Sequence, residues 1–186
     1  MAELKTVKLA KPGSLADWLA LYRLYRAAFP RAERKPVAVI LQQYRKGKMD
    51  IWCLQQDHGF RGLAITINGD RQILLDYLAV EKQCRGCGVG AGALAALRQH
   101  YEGKDVFLEI ESVFEDVPDL PMRQRRKAFY LRSGLKPMEV MVYLFGVKME
   151  LLGYGDPMSY AQYHRFYTEN LGSWVAGHIR PAEYPK

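Results

Sequence analysis

Cysteine is scarce in this chain, with three residues in 186. So low and odd a count argues against a disulfide framework and for a reducing compartment, the cytoplasm. Long hydrophobic runs are missing as well. No apolar stretch reaches the roughly 20 residues that span a bilayer, and the opening residues MAELKTVKLAKPG contain no apolar signal segment. Neither a membrane partner nor a secretory leader is expected. There is no internal repeat, no low-complexity segment and no RNA-binding motif. The basic residues are scattered, so the net charge of +7 fits a phosphate-bearing small ligand better than a nucleic acid. The four histidines (His58, His100, His164, His178) form no ligand-spaced pair, so no metal site is expected.

What is present is a chain 49% hydrophobic and 25% charged, long enough to bury an ample core. Its most informative stretch runs from Ile73 to His100. An apolar run ends at Val80 and a polar step follows to Cys84. Then come the glycine-dense turn Arg85-Gly86-Cys87-Gly88-Val89-Gly90 and an alanine- and leucine-rich helical segment. A strand, a glycine loop and a helix in that order make an anion site. Glycines let the backbone approach closely, and the helix N-terminus adds unpaired N–H groups and partial positive charge.

Three builds share that logic. A P-loop needs Gly-Lys-Ser/Thr where this chain has Val-Gly-Ala. The dinucleotide fingerprint is met by Gly88 to Ala93, with Glu109 or Glu111 downstream as the acidic residue. However, Glu81 to Gly86 separate strand from loop, and the Asn68-Gly69 hairpin signal predicts an antiparallel neighbour. The third build is Arg85-x-x-Gly88-x-Gly90 after Leu78-Ala79-Val80. It resembles the acyl-CoA pyrophosphate loop of the GNAT superfamily of N-acyltransferases.

The rest of the chain supports that resemblance. A first strand (Thr6 to Ala10) precedes a helix capped by Ser14 with Asp17 three residues on. In that helix Leu15, Trp18, Leu19, Tyr22, Tyr25 and Phe29 are expected to form the core stripe. A second helix carries Val37, Ile40, Leu41 and Tyr44. Three strands follow, over Ile51 to Gln56, Arg61 to Ile67 and Ile73 to Val80, then the loop helix from about Gly88 to Tyr101. A buried strand Val106 to Glu111 leads to a basic helix, Arg123 to Ser133, closed by Gly134 as a left-handed cap. Met138 to Leu152 predicts one or two strands bent at Gly146, and Ser159 to Glu169 a helix. The order β-α-α-β-β-β-α-β-α-β-β is similar to the GNAT fold. Ala128 to Leu135 resembles that family's A-x-x-x-Tyr-x-x-x-Gly-Phe region, and Leu108-Glu109-Ile110 resembles the fifth strand of the ribosomal-protein alanine acetyltransferases.

The resemblance implies an α/β (α+β) fold: a mixed, mostly antiparallel sheet flanked by helices and splayed at its central strands. It covers residues 1–152. Residues 153–186 form an aromatic extension expected to pack on the same domain or on a partner in a homodimer. The implied activity is transfer of an acetyl group from acetyl-CoA to a primary amine, by direct transfer in a ternary complex. A small molecule or a peptide could carry that amine, and no metal takes part. Acetyl-CoA would lie along Leu78, Ala79, Val80, Arg85, Gly86, Cys87, Gly88, Val89, Gly90 and Ala91, mainly on backbone N–H groups.

Tyr130, neutral at pH 7, is the candidate proton donor to the departing thiolate; the bland alternative is a packed helix aromatic. Glu109 is the candidate base, with Glu111 and Asp76 behind it, and each could instead pair with a cation. Phe29 and Glu33 lie on the loop that would face the acceptor, with a solvated loop carboxylate as the preferred bland reading of Glu33. Cys84-x-x-Cys87 fits variable positions of the loop, with redox chemistry or zinc as alternatives. Two rival functions share the fold: a non-catalytic acyl-CoA-binding module, and a toxin that acylates aminoacyl-tRNA.

Overall fold

A computed structural model describes residues 6–185. The chain folds as two compact units. One comprises the residues up to Asn68 together with Leu75–Glu102; the other comprises Gly69–Leu74 and the residues from Gly103 onward.

The first unit opens with strand β1 (Lys8–Ala10) and helix α1 (Leu15–Ala28). The expected capping box is present. The Ser14 hydroxyl accepts the Asp17 N–H at 3.1 Å, and the Asp17 carboxylate accepts the Ser14 N–H at 2.9 Å. The buried face of α1 is the expected one only in part, with Trp18 and Phe29 half-buried. Leu21 and Tyr25 are buried, whereas Leu15, Leu19 and Tyr22 are exposed. The apolar arc of the helix is wider than the surface it packs on, and only one edge of it is covered. Helix α2 (Val37–Arg45), strands β2 (Met49–Gln56) and β3 (Gly59–Asn68), the later part of β4 (Gln72–Val80) and helix α3 (Val89–His100) complete the unit. Strands β1, β2 and β3 pair antiparallel, with Leu9 opposite Leu54 and Ile51 opposite Ile65. Leu94, Leu97 and Tyr101 are buried, as their spacing predicts.

Within this unit Asp50 takes hydrogen bonds from Lys11, from Asn68 at 2.8 Å and from the Tyr101 hydroxyl at 2.8 Å. Burial pushes its carboxyl up, but these three donors outweigh burial and hold it below the usual carboxylate range. A depressed folded pKa contributes stability that is present above the unfolded value, about 3.9, and lost as pH falls through the folded value. The wild type should therefore lose stability more steeply than Asp50→Asn as pH drops below about 4. Urea unfolding at a series of acid pH values checks this.

The second unit holds the start of β4, strand β5 (Asp105–Glu111), helix α4 (Leu120–Arg132), strands β6 (Lys136–Leu144) and β7 (Val147–Gly153), helices α5 (Tyr160–Leu171) and α6 (Ser173–Ala176), and strand β8 (Ile179–Ala182). Strands β5, β7, β6 and β8 pair antiparallel in that spatial order. Phe145 and Gly146, both at positive φ (49° and 84°), make the tight turn between β6 and β7. Of the aromatics in the tail, Tyr163, Phe166 and Tyr167 are buried in this unit and Trp174 is exposed. A buried ion pair joins Lys127 of α4 to Glu150 of β7, and Glu150 also accepts the Val113 N–H at 2.9 Å.

Among the described residues the hydrogen-bonded strand order is β1-β2-β3-β4-β5-β7-β6-β8. The mostly antiparallel, mixed sheet expected from the sequence is the one observed. Its parallel pair, β4 with β5, is bonded over three residue pairs, from Gln72–Asp105 to Leu74–Phe107. The pairs given by these two strands end at Leu74 with Phe107. Among the described residues no helix is long and apolar enough to cross a membrane.

Candidate active site

The glycine loop of the first unit starts where β4 ends. A short 3₁₀ turn (Lys82–Cys84) leads into a type II turn over Cys84 to Cys87. Arg85 has φ −68° and ψ 143°, Gly86 has φ +78°, and the Cys87 N–H reaches the Cys84 carbonyl at 3.4 Å. That turn type requires positive φ at its third residue, which Gly86 meets without a steric cost. Gly88, at φ 81° and ψ −5°, is the N-cap of α3, and no side chain caps the helix. The first intrahelical bond runs from the Gly92 N–H to the Gly88 carbonyl at 2.9 Å. The N–H groups of Val89, Gly90 and Ala91 precede it, so they are available to an anion at the positive end of a 12-residue helix. Arg85 is exposed, and its Nε donates to the Val80 carbonyl at 3.4 Å. Ala79 is buried while Leu78 and Val80 are half-buried.

Sequence reasoning did not single out Gly62 of β3. A Cβ there would stand 2.4 Å from the Ala79 carbonyl oxygen. A lone glycine inside a strand pattern is the signal that could have found it.

In the same unit, the segment between α1 and α2 is tied to β4 by phenols. The Tyr77 hydroxyl accepts the Lys35 N–H at 3.0 Å and donates to the Glu33 carbonyl at 2.8 Å; Tyr25 donates to the Lys35 carbonyl at 3.0 Å. Burial, aided by the Asp76 charge, pushes the Tyr77 phenol up to about 12, so it stays a neutral donor. Phe29 is half-buried, its ring edge-on to that of Tyr77 at 4.8 Å, and Glu33 has an exposed side chain. Lys35 Nζ bonds both oxygens of Asp76, at 2.7 and 2.8 Å. Of the three carboxylates weighed as bases, Asp76 is thus held in an ion pair. Glu111 is paired too, with Arg123 at 3.2 Å and Arg126 at 3.0 Å.

Glu109 differs. In the second unit its Oε1 accepts from the hydroxyls of Tyr163 at 2.7 Å and Tyr167 at 2.6 Å. These phenols lie four residues apart on one face of α5, whose start is fixed by a Ser159–Gln162 capping box. Tyr130 lies in the last turn of α4, where a Schellman motif closes the helix. The Leu135 N–H reaches the Tyr130 carbonyl at 3.2 Å and the Gly134 N–H reaches the Leu131 carbonyl at 3.0 Å, with Gly134 at φ 90°. The Tyr130 side chain is half-buried and its hydroxyl has no hydrogen-bond partner among the described residues. Desolvation pushes its phenol above the usual range, and the nearby Arg126 charge opposes this only in part.

The three cysteines are free; Cys53 is buried, Cys84 half-buried and Cys87 exposed. Burial raises the Cys53 thiol to about 11. A thiol reagent applied to the native protein should therefore titrate two thiols quickly and the third only after unfolding. Among the described residues no group of three or more His, Cys, Asp or Glu side chains gathers to hold a metal ion.

No protein-family model matches the chain. A curated relative is YjbC of Bacillus subtilis (strain 168), provisionally named an acetyltransferase. It is 33% identical over 115 residues, 62% of this chain and 56% of the relative, so the match spans little more than half the relative's length. Among solved structures, a provisionally named GNAT-family acetyltransferase from Bacteroides thetaiotaomicron superposes with a TM-score of 0.68 at 19% identity, over 89% of this chain and 98% of that one. An aminoglycoside 6'-N-acetyltransferase complexed with coenzyme A superposes with a TM-score of 0.65 at 13% identity, over 80% and 95% of the two chains.

Proposed function

We propose, for a chain with the fold of the GNAT acetyltransferases, an N-acetyltransferase that moves an acetyl group from acetyl-CoA to a primary amine by direct transfer. The observation that carries this reading is the glycine loop. Two left-handed glycines shape it, and three consecutive N–H groups at the start of α3 have no partner within the helix. Such a cradle suits a pyrophosphate, which the loop residues Arg85 to Ala91 would hold mainly on backbone N–H groups. Both the curated relative's name and the coenzyme A complex of a protein with this fold support the choice.

Acetyl-CoA supplies an activated thioester. The chain's own residues would then do three things. Leu78 to Val80 would offer backbone groups to the pantetheine arm. Tyr130, a neutral phenol with an uncommitted hydroxyl, would deliver a proton to the thiolate sulfur. Glu109, fixed by Tyr163 and Tyr167, would accept the amine's proton directly or through a water. Phe29 and Glu33 lie on the segment that would meet the acceptor, with Tyr77 and Lys35 holding that segment in place.

Titration with acetyl-CoA should raise the unfolding temperature in a concentration-dependent way, and NAD(P) should not. Gly88→Val should weaken acetyl-CoA binding by roughly tenfold or more, about 1.4 kcal/mol. A side chain at that φ costs about 1–2 kcal/mol of strain and shifts the helix start. Binding read by calorimetry, with the unliganded melting curve as control, checks this. Thiol release from acetyl-CoA against a panel of primary amines then tests turnover. Binding without release from any amine would favour the non-catalytic module, and a rise with NAD(P) alone would overturn the reading.

A further inference from the structure

The loop carries a feature that acyl transfer does not use. Cys84 and Cys87 occupy the first and fourth positions of the type II turn described above. In a β-turn those two Cα atoms lie less than about 7 Å apart, and a disulfide needs about 4.4–6.8 Å. The third-position glycine, Gly86 at φ +78°, keeps the turn closed, and a side chain there would have open space around it. Cys87 is exposed and Cys84 half-buried, whereas the third cysteine, Cys53, is sealed in the core. The two reachable thiols are thus the two that a turn brings together.

We propose that Cys84 and Cys87 form a reversible dithiol–disulfide site whose co-reactant is a low-molecular-weight disulfide. The exposed Cys87 thiolate attacks one sulfur of that disulfide. A mixed disulfide forms and one small thiolate leaves. The Cys84 thiolate then attacks the Cys87 sulfur of the mixed disulfide, the intraloop bond forms, and the second small thiol departs. The protein loses two electrons and two protons; the small disulfide gains both and becomes two thiols. The Cys87 thiol, now against the Arg85 carbonyl at 3.8 Å, would turn toward Cys84 while the backbone turn is kept, so the oxidised loop should keep Gly86 and Gly88 in their present conformations and retain the N–H cradle.

The full-length protein is equilibrated with graded mixtures of glutathione and glutathione disulfide, quenched in acid, alkylated and digested with trypsin. Trypsin cuts after Arg85, between the two cysteines. Oxidation should yield a peptide pair, Gln83–Arg85 with Gly86–Arg98, joined by a disulfide that reduction separates, with Cys53 alkylated only after unfolding. The joined pair should be the main oxidised product. Glutathione adducts on one or both cysteines without the joined pair, or no oxidation, would overturn the proposal. A second readout tests the retained turn: acetyl-CoA should bind the oxidised protein within about twofold of the reduced protein, and a loss of tenfold or more, about 1.4 kcal/mol, would overturn that part. Peptide linkage does not depend on the acetyltransferase reading, so failure of either is told apart from failure of the other. Cys84→Ser, which keeps the turn residue small, should abolish the joined pair and leave acetyl-CoA binding in place.

Discussion

Tyr130→Phe is expected to slow acetyl transfer by a factor on the order of a hundred or more, the usual scale for a positioned general acid. Acetyl-CoA affinity should stay within about twofold, about 0.4 kcal/mol, because the cradle lies on other residues. The argument starts from the end of α4. The left-handed Gly134 and the bonds that Leu135 and Gly134 donate to the Tyr130 and Leu131 carbonyls close the helix, and Tyr154 donates to the Ser133 carbonyl at 2.8 Å. The backbone under Tyr130 is thus fixed by several bonds, none of which involves its hydroxyl. Removing one oxygen atom leaves every one of them in place, so the change should report chemistry rather than folding. Desolvation holds the phenol above its ordinary value of about 10. The proton is therefore present throughout the neutral range, and a fall in rate below that pH must come from another group. The check is a pair of measurements on one sample: steady-state thiol release with the best amine, and calorimetric titration of acetyl-CoA. A variant as fast as wild type would return Tyr130 to the role of a packed aromatic. A variant slow only through weaker binding would assign it to the ligand site instead.

How much of this was legible depended on how local each signal is. The start of α3 and the end of α4 are written in adjacent residues: glycines at 86, 88 and 134 beside apolar periodicity. Both appear where the pattern put them. The Asn68-Gly69 signal correctly announced a tight connection but misplaced its centre. Gly69 faces Gln72 across the turn through a 2.9 Å bond, so Asp70 and Arg71 are the turn residues. Gly69 is there for another reason: a Cβ would stand 2.8 Å from the Phe166 ring.

Strand β8 escaped notice because Ile179-Arg180-Pro181-Ala182 has neither alternation nor length. It forms because β6 offers it an edge. Pro181, which has no N–H to donate, is tolerated because β8 pairs on that side alone. Only part of the α1 stripe is covered, Tyr25 with Trp18 and Phe29 but not Leu15, Leu19 or Tyr22, because an apolar stripe shows what could be buried and not what the neighbouring elements cover. Glu109 was recognised as a strand carboxylate, but its two phenols stand 54 and 58 residues away. Their spacing of four on a helix was the single trace of that arrangement in the sequence, and it points equally well to plain core. The same distance hides the Lys35–Asp76 pair, which the sequence shows only as two separate charges.

Lys127→Met is expected to destabilise the protein by about 3–5 kcal/mol, the usual cost of leaving one member of a buried pair alone. Glu150 sits on β7 with its side chain 1% exposed, and Lys127 on α4 with 15%. One Glu150 oxygen takes the Val113 N–H and the other takes Lys127. With the ammonium gone, a carboxylate held among β-strand residues would keep one backbone donor and no counter-charge. The neighbouring pair between Arg126 and Glu111 sets the scale. Arg126 is 43% exposed, so Arg126→Ala should cost no more than about 1 kcal/mol. Urea unfolding of the two variants, side by side, separates the cases; equal losses would mean that Glu150 escapes to solvent when its partner is removed. The double change Lys127→Met with Glu150→Gln should recover part of the loss, since an uncharged amide can keep the Val113 hydrogen bond and no longer needs a cation. Lys127 also precedes Tyr130 by three residues on the same helix. A variant that anchors α4 poorly should therefore lose turnover at temperatures where it is still folded, and the double variant should regain it.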